Sequence, residues 1–432
     1  MRALALVPAI LLWCTAALAQ LPPGDAPGPP PVAPDSTLPP PAAPPTGLAR
    51  WLNPATAPFI PVPEIGADPN SGTTLGLLPV WLRTDEQHQI DRIIAPDVLY
   101  NTYFGYGMHA RLYAYPSDDE QWSVVAGIKE RVEREFDAEF QHGRTRNDRW
   151  SFTGSLIADT DGTPRFFGIG NHTPEGAETN FTARQQLARA QIGLNLSRIW
   201  QLAYALRVRS VDVLPGTLPG IESINQRFGS SVLGTGTDFL SRLSLSYDTR
   251  DDLTIPRHGM QWIAYVGAAT STAFNDALYR EWGVDGRAFW PVFQDTAFAV
   301  HVATRYLFGD HNAPFWALST LGGDRAEVGG EEPLRGFGAG RYTDRDVYST
   351  TLELRHRLFS FDAVSTRVDV EVSPFVDAGR VFADSSTFPL AHIHTVGGLG
   401  FRGIARPFVV GYVDVGYGSE GTAVFTGINY PF

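Results

Sequence analysis

The sequence predicts an all-β fold, a closed antiparallel transmembrane β-barrel of about sixteen strands. Three observations carry that prediction. From about residue 70 to the end, stretches of roughly ten residues alternate apolar and polar, with Gly, Asn, Asp and Pro clusters between them. Aromatic residues make up 12% of a chain that also holds 43 glycines, a combination that favours strands over helices. Downstream of the N-terminus no segment offers ~20 consecutive apolar residues for a spanning helix.

The elements follow in order. MRALALVPAILLWCTAALAQ has a positive residue, an apolar run and the small-x-small site Ala17-Leu18-Ala19. Residues 1–19 are therefore expected to be a signal peptide cleaved after Ala19. A lipoprotein would need Cys14 as the acylated residue, and Trp13 is too bulky for such a site. Cys14 is the only cysteine, so its removal leaves no disulfide and no thiol chemistry. Residues 20–63 are proline-dense, which favours extended polyproline II and excludes a packed core. They are expected to be a disordered periplasmic segment, either a spacer or a Pro-rich ligand. The barrel is expected over 64–432.

Its strands are expected near 74–83, 92–104, 108–115, 122–140, 149–158, 181–198, 201–213 and 238–249. The rest centre near 259–270, 279–291, 296–307, 349–360, 368–382, 392–404, 408–417 and 422–432. The period is clearest in WSVVAGIKERVEREFDAEF, residues 122–140, which reads as one long strand with apolar residues on its even positions. In TAVFTGINYPF, Val424, Ile428, Tyr430 and Phe432 share one face. Its closing aromatics suit the girdle at a bilayer interface and an assembly signal at the C-terminus. An even strand count returns both ends to the periplasm. A soluble β-sandwich or propeller would explain the alternation less well than a barrel, which alone satisfies every backbone group in lipid.

A formal net charge of −12 argues against a nucleic-acid partner. No Gly-x-Ser-x-Gly elbow, His-Glu-x-x-His or phosphate loop ending in Lys-Ser/Thr is present, so no catalytic residue and no cofactor is expected. His392 and His394 lie two apart on an expected strand and would share a face, but no third metal ligand accompanies them. Asp159-Thr160-Asp161-Gly162 begins like a calcium loop and lacks that loop's remaining ligands. No metal is expected. GGEEPLRGFGAGRY, residues 329–342, is glycine-rich, with the wrong spacing for a dinucleotide fingerprint.

Several pieces together are similar to one family. Tyr247-Asp248-Thr249-Arg250-Asp251-Asp252 with Pro256 and Gly259 resembles the hairpin of the BamA/TamA-type bacterial surface antigen barrels. Leu321-Gly322-Gly323 followed by Leu334-Arg335-Gly336-Phe337 resembles that family's sixth-loop motif. Glu353-x-Arg355, Phe375-Val376-Asp377-Ala378-Gly379, Gly397-Gly398-Leu399-Gly400 and the final Phe432 match in the same order. The resemblance spans about residue 65 to 432 and is stronger in the C-terminal half.

It implies a sixteen-strand outer-membrane barrel whose sixth extracellular loop folds back into the lumen. It also implies a loop lock: Leu334, Arg335, Gly336 and Phe337 would meet Asp377, Glu353, Phe375 and Gly379 on the wall. Asp377 would be the first carboxylate partner of Arg335, and Glu353 a second. Members that insert or secrete proteins carry POTRA domains ahead of the barrel. Here the proline-rich segment stands in that place, so the expectation is a barrel without that docking platform. The function expected is outer-membrane assembly or transport of protein or lipid, without catalysis; the alternatives to it are a passive pore or structural barrel without insertase activity, and a lumen hydrolase. The implied partners are outer-membrane lipid, the barrel-assembly machinery during insertion, and a protein or lipid cargo.

Overall fold

The computed structural model describes residues 60–84, 90–270, 277–309, 313–363, 366–383, 391–405, 409–428, 430 and 432. The expected signal peptide and all but the last four residues of the proline-rich segment lie outside them.

Eighteen antiparallel strands form one continuous ladder among the described residues. They are β1 (Ile60–Asp68), β2 (Gly72–Thr84), β3 (Ile90–Ile94, continued past Pro96 by Asp97–Asn101), β4 (Gly105–Ser117), β5 (Glu120–Lys129) and β6 (Arg134–His142). Then follow β7 (Trp150–Asp161), β8 (Thr179–Asn195), β9 (Trp200–Pro215), β10 (Gly234–Asp248), β11 (Gly259–Ala269) and β12 (Tyr279–Phe293). The last are β13 (Thr296–Phe308), β14 (Asp346–Ala363), β15 (Thr366–Phe382), β16 (His394–Ala405), β17 (Val409–Gly418) and β18 (Gly421–Ile428). Each strand pairs with its neighbours in sequence, as meandering hairpins require.

The count corrects the expectation of about sixteen in two places. Residues 122–140 belong to two strands, β5 and β6, joined by a turn at 130–133 where Val132 has φ 51°. The alternation runs on through that turn, so the pattern alone does not show the break. The other addition is β1, which begins inside the proline-rich segment and pairs with β2 from Ile60 opposite Val80 to Asp68 opposite Gly72.

Alternation places polar side chains inside and apolar ones outside. On β14, Ser349, Thr351, Glu353 and Arg355 are buried, while Leu352 and Leu354 between them are exposed. β13 repeats this with His301 and Arg305 inward and Phe308 outward. Trp282 of β12 stacks on its cross-strand partner Tyr306 at 4.5 Å between ring centres. An exterior of Leu, Val and Phe around a charged interior is the inverse of a water-soluble protein and suits lipid.

The two ends of the ladder run beside each other. The backbone N–H of Ala67 on β1 donates to Thr426 Oγ1 on β18 at 3.1 Å. Among the described residues no backbone ladder joins β1 to β18, unlike every other pair of neighbours.

Connections at one end are short. Ser117 pairs Glu120 across a two-residue turn, and Phe293 pairs Thr296 likewise. The opposite end carries the long connections 162–178, 216–233 and 309–345. The connection bearing Arg335 is the seventh at that end, not the sixth, because the additional strands precede it.

The turn at 130–133 generates a test. In a background lacking Cys14, Arg131→Cys is expected to react with a membrane-impermeant maleimide on intact cells, and Asp295→Cys at the short-turn end is not. Protection of position 131 equal to that of 295 would restore the single long strand.

Candidate functional site

Within the 309–345 connection, Ser319–Leu321 pairs with Glu331–Glu332 and Tyr342–Asp344 in a small three-stranded sheet. Leu334-Arg335-Gly336-Phe337 forms a tight turn beyond it, closed by the Phe337 N–H donating to the Leu334 carbonyl at 3.0 Å. Gly323 bridges to this turn at both ends, to Leu334 and to Phe337. The turn lies against the wall of β14 to β17.

Arg335 has no solvent exposure. Its Nε donates to Asp377 Oδ2 and its Nη2 to Asp377 Oδ1, both at 2.9 Å, and its backbone N–H adds a third bond to Oδ2 at 3.0 Å. Its Nη1 reaches Asp414 Oδ2 at 2.7 Å and Glu353 Oε2 at 3.2 Å. The guanidinium sits 3.4 Å from the ring centre of Phe375. Burial works against its charge, but Asp377, Glu353 and Asp414 outweigh that and hold the pKa well above the ordinary arginine value. Bidentate contact to Asp377 fixes direction as well as charge.

Ladder register explains the fit. Glu353, Phe375, Gly398 and Gly416 form one row across β14 to β17. A Cβ on Gly398 would run into the Phe375 ring, and one on Gly416 into the Arg335 carbonyl. In the turn itself, a Cβ on Gly336 would come within 2.7 Å of Val396. Leu334, Phe337 and Phe375 pack with Val396 in one buried apolar cluster. Gly379 is not beside the arginine. Its missing Cβ makes room for Leu321 of the small sheet.

The charge network is wider than the sequence motifs indicate. Glu353 also accepts from Arg355 Nε at 2.8 Å and Arg402 Nη2 at 3.1 Å. Arg402 lies 3.6 Å from Asp414. Asp414 and Arg402 were not singled out from the sequence. The signal for them was charged residues at inward positions of β16 and β17, in FRG and YVDVG. Arg341, in the same glycine-rich stretch as Arg335, was missed too. It is 3% exposed and binds Glu420 through Nε at 2.9 Å and Thr173 through Nη1 at 3.0 Å. Asn70 Nδ2 donates to the Ala339 carbonyl at 2.8 Å. The connections at 69–71, 162–178 and 419–420 thus all hold the tip from the long-loop end. Deeper inside, Arg305 donates to the Ala317 carbonyl and Arg242 to that of Val328, and Glu281 orients both arginines.

Two expectations change. Tyr430 and Phe432 do not sit at a lipid girdle. β18 ends at Ile428, and both aromatics turn into the lumen. The Tyr430 ring lies 3.9 Å from the Arg355 guanidinium, and Phe432 stacks on His301 and packs with Phe289. Chain beyond the last ladder pair is free to leave the period-two face, and the buried arginines attract the rings. His392 and His394 do not share a strand face either. His392 occupies the turn before β16 with φ 56°, while His394 stacks on Tyr342 at 4.0 Å.

A model of the Omp85 superfamily domain matches residues 119–402. Among solved structures, BamA from Haemophilus ducreyi lacking POTRA domains 1–3 aligns with 82% of this chain and 75% of its own, at 14% identity and a TM-score of 0.50. CdiB from Escherichia coli aligns with 84% of this chain and 60% of its own, at 12% identity and a TM-score of 0.42. CdiB from Acinetobacter baumannii aligns with 86% and 59%, at 12% identity and 0.40. At these identities the likeness is one of fold. No curated protein matches the sequence.

The glycine row makes the seating of the turn testable. Gly416→Ala is expected to displace Arg335 and destabilise the barrel by about 1–3 kcal/mol, the usual range for overpacking. Gly397→Ala, which would meet nothing within 4 Å, is expected to be neutral. Heat-modifiability on gels reads both. Equal behaviour of the two variants would mean that the turn does not need this wall.

Proposed function

From a chain that belongs to the Omp85 superfamily, and so is an outer-membrane β-barrel, we propose a role in outer-membrane assembly or in transport of protein or lipid, carried out without catalysis. The observation that carries this reading is the seam. Among the described residues every other pair of neighbouring strands shares a backbone ladder, while β1 and β18 are joined by the Ala67 to Thr426 bond. A seam of that kind parts at lower cost than a ladder and exposes two strand edges to an incoming segment or lipid. The loop turn keeps its place when the seam moves, because Arg335 is bound to β14, β15 and β17 and to neither seam strand. In this reading Leu334-Arg335-Gly336-Phe337 is the lock, with Asp377, Glu353 and Phe375 as its seat and Asp414 as a third carboxylate. Gly379 supports the small sheet behind it.

The seam can be fastened chemically. A Cβ on Gly66 would lie 3.6 Å from Thr426 Oγ1, so Gly66→Cys with Thr426→Cys is placed to form a disulfide. In the cysteine-free background, the oxidised pair is expected to reproduce the phenotype of deleting the gene, and reductant to reverse it. Full activity with the seam fastened would remove the assembly or transport role. Planar-bilayer recording is the companion measurement. Small conductance that rises in Arg335→Ala is expected of a locked lumen, and large steady conductance in the wild type would favour a passive pore.

A further inference from the structure

The half of the lumen away from the lock holds a cavity of about 330 Å³ between β6 and β11. It reaches the short-turn end, where Arg144 and Arg146 line it from the 143–149 turn. Arg189, Arg242 and Arg250 complete a set of five guanidiniums, and Asp248 is the one carboxylate in the lining. Two of the five are neutralised. Arg250 binds Asp248 at 2.8 Å, and Arg242 binds the buried Glu281 of β12 at 2.7 Å. Among the described residues no carboxylate lies within 4.0 Å of Arg144, Arg146 or Arg189. The chain as a whole carries −12, so this concentration of positive charge runs against its composition.

Two of the uncompensated arginines, Arg146 and Arg189, bond to neutral groups. Arg146 donates from Nη1 to the Ile199 carbonyl at 3.0 Å and from Nη2 to Ser246 Oγ at 2.9 Å. Its backbone is left-handed, φ 55°, a conformation that a non-glycine residue adopts at a cost. Arg189 Nη2 donates to Gln191 Oε1 at 3.3 Å. Burial pulls the pKa values of Arg144 and Arg146 down, and charges farther off do not restore them. Arg144 and Arg146 are partly dehydrated, and among the described residues neither they nor Arg189 is in a direct ion pair. The remaining lining, Ser246 and Gln191 included, offers neutral hydrogen bonds.

We infer that this cavity binds a phosphate-bearing ligand. A phosphate monoester carries close to two negative charges at neutral pH, with several acceptor oxygens to share among separate arginine forks. A lone carboxylate would leave most of the surplus unmet. The volume is at the small end for a ligand site and suits a polar headgroup or a small phosphate ester. The site lies on β6 to β11 and stands whatever cargo the seam admits.

Calorimetry on the full chain in neutral detergent tests this. The probes are glycerol 3-phosphate, short-chain phosphatidic acid and short-chain phosphatidylcholine. Saturable binding of at least one phosphate monoester is expected, with no comparable binding of phosphatidylcholine. Binding of glycerol 3-phosphate would identify a soluble ester, and binding of phosphatidic acid alone a lipid headgroup. Arg189→Gln and Arg146→Gly are each expected to weaken it about tenfold or more, as for loss of a charged hydrogen bond. The glycine keeps the left-handed backbone. Arg184→Gln, outside the cavity, is expected to change nothing, and heat-modifiability reports that each variant is folded. No saturable phosphate binding, equal binding of phosphatidylcholine, or indifference to both arginine substitutions would overturn the inference.

Discussion

A positive charge with no access to water organises this barrel. Arg335 cannot stay ionised inside the lumen unless carboxylates surround it, and those come from β14, β15 and β17. The dependence is mutual. Asp377, Glu353 and Asp414 converge from different strands, and without the loop arginine they would face each other with fewer cations between them. A buried ionic cluster of this kind contributes little net stability over an apolar equivalent, yet losing one member is costly. Its effect is to allow one arrangement of loop and wall. Gly416 and Gly418 on β17 serve the same end by removing side chains where the turn touches the wall, and Gly398 on β16 leaves room for the Phe375 ring.

The lumen is divided by charge. Toward β14 to β17, arginines and carboxylates alternate and neutralise one another around the loop turn. In the lining of the cavity between β6 and β11, arginines outnumber carboxylates and the space between them is open. The 309–345 connection separates the two regions. Arg242 belongs to both, since it lines the cavity and also holds the loop through the Val328 carbonyl. Occupancy of the cavity and position of the loop therefore share a side chain.

Much of the fold was legible because a membrane strand obeys one simple alternation. The surroundings of Arg335 were legible for a different reason. Arg335, Asp377 and Glu353 sit in short motifs whose order could be matched, and the structure brings these residues within hydrogen-bond reach. What escaped did so on physical grounds. The turn at Val132 keeps the period of its flanking strands, so β5 and β6 read as one. β1 carries Pro61 and Pro63, which read as an extended proline-rich tail, and an edge strand tolerates such residues. Asp414 and Arg402 look like isolated charges until the fold brings Asp414 to Arg335 and Arg402 to Glu353. Arg341 stands four residues past the motif and has its partners in connections far away in sequence.

The tucked C-terminus sets an order of events. Phe432 can stack on His301 and pack with Phe289 only when β12 and β13 already stand side by side. Tyr430 needs Arg355 of β14 in place as well. The contacts of Phe432 span more than a hundred positions of chain, so loop-closure entropy opposes them until the intervening strands have paired. Docking of the final aromatics is thus a terminal step in folding. The contacts of Tyr430 and Phe432 require a finished wall to receive them.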